Sequence, residues 1–328
     1  MDALSSVYRH YFGTHKVALC FIISYEHVLH QEALWKKWIE PNADIVNVYF
    51  HCKHAGKLKK SAFIRQHALP AKFCASTTYI NVTPAYLATM SYARRHDRLN
   101  TWFCMLTDSC VPCITPAGFR RAFVEHMHKS VIRTRAPYWN IHMHERANLK
   151  KLPSQFRLTN DPWFIYTAAH VDLVETFLKT LSGVYNTINA GGFANESLFA
   201  IVLQAYGQNN NPKTHLNTVS TVADWSRMPK PTSPFTFAFV SEMQTRLELV
   251  AMRRMVKDSP DAMFLRKVDR TFPAEVLEQM WTEGPPLKAV PLPNYMYVLV
   301  ALPPLVAMLA TVALATYMFA GVTSAPAT

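Results

Sequence analysis

Continuous apolar runs alternate along the chain with segments in which apolar residues recur every three to four positions. The continuous runs predict buried strands at residues 17–24, 45–50 and 101–106. The periodic segments predict helices at residues 28–39 and 84–96. Strands that alternate with helices are typical of a mostly parallel sheet with helices on both faces, so we expect an α/β fold.

Polar and reactive side chains follow each of the three predicted strands. The segments are SYEH at 24–27, HCKH at 51–54 and TDSCVPC at 107–113. Ligands of open parallel sheets bind beyond the carboxyl ends of the strands. We therefore expect a binding cleft where these three segments meet.

A long uncharged segment closes the sequence. No Asp, Glu, Lys or Arg occurs between Ala289 and Thr328, and the apolar stretch at 295–322 is long enough to cross a hydrocarbon layer of about 30 Å as a helix. Pro303 and Pro304 would kink such a helix, although membrane helices tolerate proline better than soluble ones. A buried core hairpin is the alternative interpretation.

These patterns predict the division of the chain and its location. The N-terminal apolar run is too short for a signal peptide, so we expect a single-pass, tail-anchored membrane protein whose globular part faces the cytosol. Six cysteines in largely apolar surroundings agree with a reducing compartment. The expected parts are a globular domain at 1–285, a linker at 286–294, a transmembrane helix at 295–320 and a short tail at 321–328.

The charge balance points to an anionic partner. The net charge is +12, but the basic residues are dispersed, and neither zinc-finger spacing nor an RNA-binding aromatic motif is present. Nucleic acid is therefore not expected as a partner. Phosphate-bearing ligands and a membrane surface remain as candidates.

Several common motifs are absent or weak. The sequence has neither a dinucleotide fingerprint nor a P-loop, and no two aspartates stand at i and i+2. The CVPC segment at 110–113 could be a redox pair, but its prolines indicate a turn after a strand and not a helix start. Four histidines form two H-x-H pairs, and the sequence allows them to be either solvated side chains or zinc ligands. They are His126, His128, His142 and His144.

Eight segments in order resemble the core-2/I-branching glycosyltransferases and their plant and viral relatives. The resemblance covers about residues 16–272, and its motifs are SYEH, VYFHCK, STTYINVTPAYLATMSYA, TWFCMLTDSCVPC, FRLTNDPWFIYTAAHVDLV, NESLFAIVL, TVADWS and MFLRKVD. It implies a GT-A-like, Rossmann-type fold and a UDP-sugar donor, most often UDP-N-acetylglucosamine or UDP-xylose. The family works without a metal-binding Asp-x-Asp, so the resemblance implies no metal and no cofactor besides the donor substrate.

The resemblance gives Glu196 the role of general base, which takes the proton of the acceptor hydroxyl as the sugar inverts. The residue before it is Asn195, where the family has a second acid. The alternative from the residues alone is that Asn195 caps a helix and Glu196 favours the positive end of its dipole.

The resemblance also implies binding residues for donor and acceptor. Lys267, with Arg266 beside it, would face the diphosphate; a solvated charge at a helix end is the alternative for Lys267. His51 and Lys53 match a nucleotide-site segment that has lost its acid, and Arg227 is a nearby substitute for a second basic group. Asp108 and Trp163 match positions on the acceptor side, where aromatic faces stack on sugars.

The expected function is thus an inverting, metal-independent transfer of a sugar, GlcNAc or xylose, from UDP to a glycan or protein hydroxyl. The alternative is a catalytically degenerate membrane protein of the same fold with a structural role, for example in a virion. The halved acid pair and the altered segment at His51 favour that alternative.

Overall fold

The computed structural model describes residues 15–54, 58, 61–227 and 233–282. The predicted transmembrane helix, its linker and the tail lie outside these residues, and so does the N-terminal segment 1–14. Within the described part of the chain, no helix is long and apolar enough to cross a membrane.

Eleven short strands occur in the described residues. They are β1 (Lys16–Ile22), β2 (Val46–His51), β3 (Asn100–Thr107), β4 (Val111–Pro112), β5 (Ser130–Val131), β6 (Thr134–Arg135), β7 (Thr159–Asn160), β8 (Ile165–Thr167), β9 (His215–Leu216), β10 (Thr221–Ala223) and β11 (Phe264–Arg266).

Nine α-helices accompany them in the same residues. They are α1 (Glu32–Ile39), α2 (Ala62–His67), α3 (Thr83–His96), α4 (Pro116–His126), α5 (Ala168–Thr180), α6 (Ser182–Asn189), α7 (Leu198–Ala205), α8 (Glu242–Lys257) and α9 (Ala274–Glu278).

The central sheet has the strand order β2-β1-β3-β8-β5-β9. β1 is parallel to both β2 and β3, and β5 is parallel to β9, whereas β8 is antiparallel to β3 and β5. The chain leaves β1 toward one side of the sheet and returns to its other side with β3, so the strand order reverses between β1 and β3. A reversal of this kind opens a crevice at the carboxyl edge of the sheet.

The alternating side chains of β1 enter two separate cores. Val17, Leu19 and Phe21 pack with buried residues of α1, α4 and α8, while Ala18 and Cys20 pack with those of α3, α5 and α7. Because successive side chains of a strand point to opposite faces, helices cover both faces of the central sheet. The predicted mixed α/β fold with a mostly parallel sheet is confirmed.

The predicted elements agree with the structure except at some boundaries. The three predicted strands correspond to β1, β2 and β3, and the helix predicted at 84–96 is α3. The helix predicted at 28–39 begins only at Glu32, since residues 23–31 form the loop that follows β1. The antiparallel β8 in the middle of the sheet was not predicted, because its apolar run at 163–166 leads directly into α5.

Three strands form a second small sheet in the order β10-β11-β4. Ala223 lies opposite Arg266 in the parallel pair of β10 and β11, and Leu265 lies opposite Val111 in the antiparallel pair of β11 and β4. β4 follows β3 closely, so this sheet brings Arg266 near the carboxyl end of β3.

Candidate functional site

The three polar segments after β1, β2 and β3 meet at one edge of the central sheet. The backbone N–H of Ser24 donates to Oδ2 of Asp108 at 3.0 Å, which joins the ends of β1 and β3. The backbone N–H of His54 donates to Nε2 of His27 at 3.1 Å, which joins the ends of β2 and β1. The structure therefore brings together the segments from which the cleft was predicted.

Arg266 is a buried cation at this edge. The residue is 8 % exposed, and its guanidinium carbon lies 3.8 Å from the ring centre of Trp163. Its Nε is buried without a hydrogen-bond partner, and no carboxylate of the described residues forms an ion pair with it. Burial lowers the pKa of Arg266, while the nearby Cys110, Tyr86 and Asp108 raise it. A buried guanidinium without a counterion is costly and has the geometry to bind a phosphate with two hydrogen bonds.

Lys267 adds a second positive charge beside Arg266. The side chain is half-buried, and its Nζ donates to Oγ of Ser233 at 3.3 Å. Burial lowers the pKa of Lys267, the charge of Arg266 lowers it further, and Asp108 raises it. Lys267 follows β11, so the alternative of a solvated charge at a helix end is wrong. Two neighbouring cations thus share one nearby carboxylate, Asp108, at the carboxyl edge of β3.

Glu196 lies in a largely desolvated position, paired with Arg146. Its side chain is 20 % exposed, and Arg146 Nη2 donates to its Oε2. Burial raises the pKa of Glu196, whereas the charge and the hydrogen bond of Arg146 lower it. No hydrogen bond from the described residues reaches Oε1, so one carboxylate oxygen is left to accept a proton.

The interpretation of Asn195 as the N-cap of a helix is wrong. Residues 194–196 form a 3₁₀ turn, and α7 begins only at Leu198. The backbone N–H of Ala200 in the first turn of α7 is satisfied by Oδ1 of Asn160, from β7, at 3.1 Å. Asn195 is buried, and its side-chain Oδ1 has no partner.

Gly191 lets the segment that bears Arg146 approach the segment that bears Glu196. A Cβ at Gly191 would lie 2.4 Å from the backbone nitrogen of Asn148 and 2.5 Å from the carbonyl oxygen of Glu145. The backbone N–H of Ala147 donates to the carbonyl of Gly192 at 2.8 Å. The Gly-Gly pair at 191–192 therefore makes a close backbone contact that only glycine permits at its first position.

Aromatic rings surround the ion pair of Glu196. The guanidinium of Arg146 lies 4.4 Å from the ring centre of Trp139 and 4.7 Å from that of Phe193. Tyr79 is 81 % exposed and meets Phe193 edge-on at 5.9 Å. Exposed aromatic faces beside a carboxylate can stack on sugar rings.

Tyr86 is a buried tyrosine whose pKa is influenced by both Arg266 and Glu196. Burial raises the pKa of Tyr86 most, the positive charge of Arg266 lowers it, and the negative charge of Glu196 raises it. Its hydroxyl donates to the carbonyl of Pro162 at 3.0 Å. The phenol of Tyr86 therefore responds to both charges, and it lies between the segment that bears Arg266 and the segment that bears Glu196.

Trp163 lies beneath Arg266. It is 9 % exposed and also borders a groove of about 250 Å³ with Arg133, Asp161 and Trp225. The predicted role on the acceptor side is not tested by this position. The observed contact shows that its ring supports the guanidinium of Arg266.

The guanidinium of Arg227 forms hydrogen bonds with two carboxylates of the protein. Its Nε donates to Asp224 Oδ2 at 2.7 Å, and its two Nη atoms donate to the two oxygens of Glu248 at 2.9 and 2.8 Å. Phe235 stacks on the guanidinium at 4.0 Å. With these contacts made, Arg227 has a structural role in the described fold.

His51 and Lys53 make contacts with the loop after α2. His51 is buried and its Nε2 accepts the backbone N–H of Ala75 at 2.9 Å, and burial lowers its pKa. Lys53 Nζ donates to the carbonyl of Thr77. These contacts hold the segment that leads to Tyr79, which lies beside the site.

Arg146, Tyr86, Asn160 and Asp161 were missed by the sequence reasoning. Asp161 forms ion pairs with Arg133 at 2.8 Å and Arg135 at 3.1 Å, and its charge raises the pKa of Glu196. The NDP segment at 160–162 lies in a motif of the resembled family, but the resemblance assigns no role to its acid. Nothing in the local sequence distinguishes Arg146 from the other basic residues.

The structure supports neither a redox pair in the CVPC segment nor a metal site in the described residues. All six cysteines are free, and burial raises the pKa of both Cys110 and Cys113, so the redox interpretation of CVPC has no support. In the described part of the chain, no group of three or more His, Cys, Asp and Glu side chains is placed to hold a metal ion.

The chain was compared with known proteins. No model of a known protein family matches it, and no curated protein matches it.

Proposed function

We propose that the protein is a glycosyltransferase that moves a sugar from a UDP donor to a glycan or protein hydroxyl with inversion. The observation that supports this most is the buried Arg266, without a counterion among the described residues, beside the partly buried Lys267. A nucleotide diphosphate supplies the missing negative charge. A GT-A-like interpretation of the α/β fold, with the donor at the carboxyl edge between β1 and β3, is part of the same proposal.

In the proposed reaction, the acceptor hydroxyl oxygen attacks the anomeric carbon of the donor sugar. The bond from that carbon to the β-phosphate oxygen breaks, and UDP leaves with the electron pair. Oε1 of Glu196 takes the hydroxyl proton, while Arg266 and Lys267 stabilise the charge on the leaving diphosphate without a metal. Burial raises the pKa of Glu196, which makes its carboxylate a stronger base.

A specific observation favours the second candidate, a degenerate fold that binds a nucleotide but transfers nothing. Arg146 occupies one oxygen of Glu196, and its charge opposes the effect of burial on the pKa of Glu196. Asn195 also stands where relatives of the resembled family have a second acid.

The deciding experiment measures UDP binding and sugar transfer by wild type and Glu196→Gln. UDP at a hundred times its dissociation constant should stabilise both proteins by about 2.7 kcal/mol. With UDP-N-acetylglucosamine or UDP-xylose as donor, Glu196→Gln should transfer sugar about 10²–10⁴-fold more slowly than wild type, because a general base contributes that factor.

Glu175→Gln is a matched control, since Glu175 lies on α5 and accepts a hydrogen bond from Ser91, away from the site. This variant should transfer sugar as fast as wild type. If wild type binds UDP but transfers no sugar to any acceptor, the degenerate interpretation holds instead. If UDP fails to bind wild type in the presence or absence of EDTA, both interpretations are wrong.

A further inference from the structure

The outward side of α8 carries exposed apolar side chains. Its buried side packs into the core through Thr245, Glu248, Leu249, Met252 and Val256. On the opposite side, Met243, Leu247 and Val250 are 74 %, 58 % and 63 % exposed and recur at i, i+4 and i+7. This spacing places them in one stripe along the helix, and Phe239 and Val240, which precede the helix, are exposed as well.

Basic side chains flank this stripe. Arg246, Arg254 and Lys257 are exposed; Arg246 and Lys257 have no ion-pair partner among the described residues, and Arg254 contacts only Asp258, at 3.8 Å. The helix has two acids: Glu248 is paired with Arg227, and Glu242, at the first position, has no ion-pair partner among the described residues. We call the six residues Met243, Arg246, Leu247, Val250, Arg254 and Lys257 the outer face of α8.

The chemistry of the outer face fits an anionic lipid surface. An amphipathic helix with arginine and lysine beside an apolar stripe lies in the membrane interface, with its apolar side chains below the headgroups. A protein interface also uses methionine and arginine, but its anchors are mainly aromatic, whereas the six residues of the outer face include three cations, no acid and no aromatic residue. The net charge of +12 adds a general attraction to the same surface.

We propose that the outer face of α8 docks on a membrane containing anionic lipids. The apolar side chains of Met243, Leu247 and Val250 enter the interface, and Arg246, Arg254 and Lys257 bind the phosphate and carboxylate headgroups. None of the six residues of the outer face belongs to the proposed transferase site.

The test uses the full chain with a fluorescent label whose emission reports polarity. The label is attached to Val250→Cys, and Lys179→Cys at the end of α5 is the matched control; labelled wild type gives the background from the half-buried Cys74. The proteins are mixed with nanodiscs of phosphatidylcholine alone or with phosphatidylserine added. The label at 250 should shift to the blue with phosphatidylserine, and the label at 179 should not shift.

The basic residues are tested in the Val250→Cys protein by adding Arg246→Gln, Arg254→Gln and Lys257→Gln together. The ratio of lipid-bound to water-exposed label should fall roughly a hundredfold, about fivefold for each basic residue. Circular dichroism confirms that the exposed substitutions leave the fold intact.

Three results would overturn the proposal. The label at 250 could stay water-exposed with both lipids, or it could shift equally with phosphatidylcholine alone, which would remove the role of the basic residues. A blue shift that grows with protein concentration in the absence of lipid would assign the outer face to a second copy of the chain.

Discussion

Two arginines, one after β10 and one in β11 of the second sheet, differ in how their charges are compensated. Arg227 follows β10, its side chain is 38 % exposed, and it donates to two carboxylates. Arg266 ends β11, opposite Ala223 of β10, is 8 % exposed, and has no carboxylate partner among the described residues. The more buried of the two cations is thus the one without an ion-pair partner among the described residues.

The difference indicates that the charge of Arg227 stabilises the fold, whereas the charge of Arg266 is available to bind a ligand. Burying an arginine costs several kcal/mol, and a fold offsets that cost with partners, as it does at Arg227. Asp224 directly follows β10, yet it pairs with Arg227 and leaves Arg266 without a counterion. An uncompensated cation at the carboxyl edge of a parallel sheet is a candidate for binding an anion that comes from outside.

The largest expected effect is on nucleotide affinity in Arg266→Met. Two hydrogen bonds to a charged phosphate are lost, so UDP binding should weaken by about 3–4 kcal/mol, or several hundredfold. The thermal stability of the ligand-free protein should change little, because two effects oppose each other. Removing an unpaired buried charge stabilises the fold, whereas losing the contact of the guanidinium with the Trp163 ring destabilises it. Calorimetric titration with UDP measures the first quantity and thermal unfolding the second. A large fall in stability with unchanged UDP affinity would make Arg266 a structural residue.

The reverse result is expected for Arg227→Met. Glu248, whose side chain is 2 % exposed, would lose its partner, so the free energy of unfolding should fall by about 3 kcal/mol. This value is the lower end of the range for breaking a buried ion pair, because Arg227 is partly exposed. The melting temperature should drop by several degrees, while UDP affinity stays within about twofold of wild type. Weaker UDP binding in folded Arg227→Met would place this residue in the nucleotide site after all.

A smaller effect is expected for Lys267→Ala. The half-buried ammonium contributes one charge-assisted contact to the diphosphate, so UDP binding should weaken by about 1.5–3 kcal/mol. The same titration with EDTA should give the same affinities for both proteins. A loss of UDP binding on chelation would point to a metal in place of the lysine.

The smallest effect is a pH dependence of UDP affinity. Burial lowers the pKa of Lys267 below its ordinary value of 10.5, so the free protein loses this charge as the pH rises through the lowered pKa. UDP affinity should therefore decline at alkaline pH, before 10.5 is reached, toward the affinity of Lys267→Ala. Lys267→Arg is the control, because arginine keeps its charge over this pH range. Any effect of the titration of UDP itself appears equally in wild type and in Lys267→Arg. An equal decline in the two would remove Lys267 from the explanation.

The sequence predicted the parts of this molecule that depend on local pattern. The buried runs at β1, β2 and β3 have the composition of central strands, and the polar segments after them meet as expected. Arg266 and Lys267 could be named because a motif of the resembled family includes them. The sequence could not predict that neither cation has an ion-pair partner in the described part of the chain, because ion pairing depends on which distant acids the fold brings near.

The environment of Glu196 depends on such long-range contacts. Arg146 is fifty positions away in sequence, and Asn160, which replaces Asn195 as the partner of the α7 backbone, comes from β7. Short-range capping rules consider only neighbours along the chain, so they favoured Asn195. Arg227 was assigned to the donor by proximity in sequence, but Asp224 and Glu248 occupy it.

The contact at Gly191 makes the proposed base sensitive to a residue that has no chemistry of its own. Even alanine would force the backbone at 145 and 148 outward, since its Cβ would lie within 2.5 Å of Glu145 and Asn148 atoms. Arg146 belongs to that backbone, so Glu196 would lose its counterion without any charged residue being replaced. In a mutational scan, this glycine should therefore appear among the most sensitive positions, alongside the charged residues that it holds together.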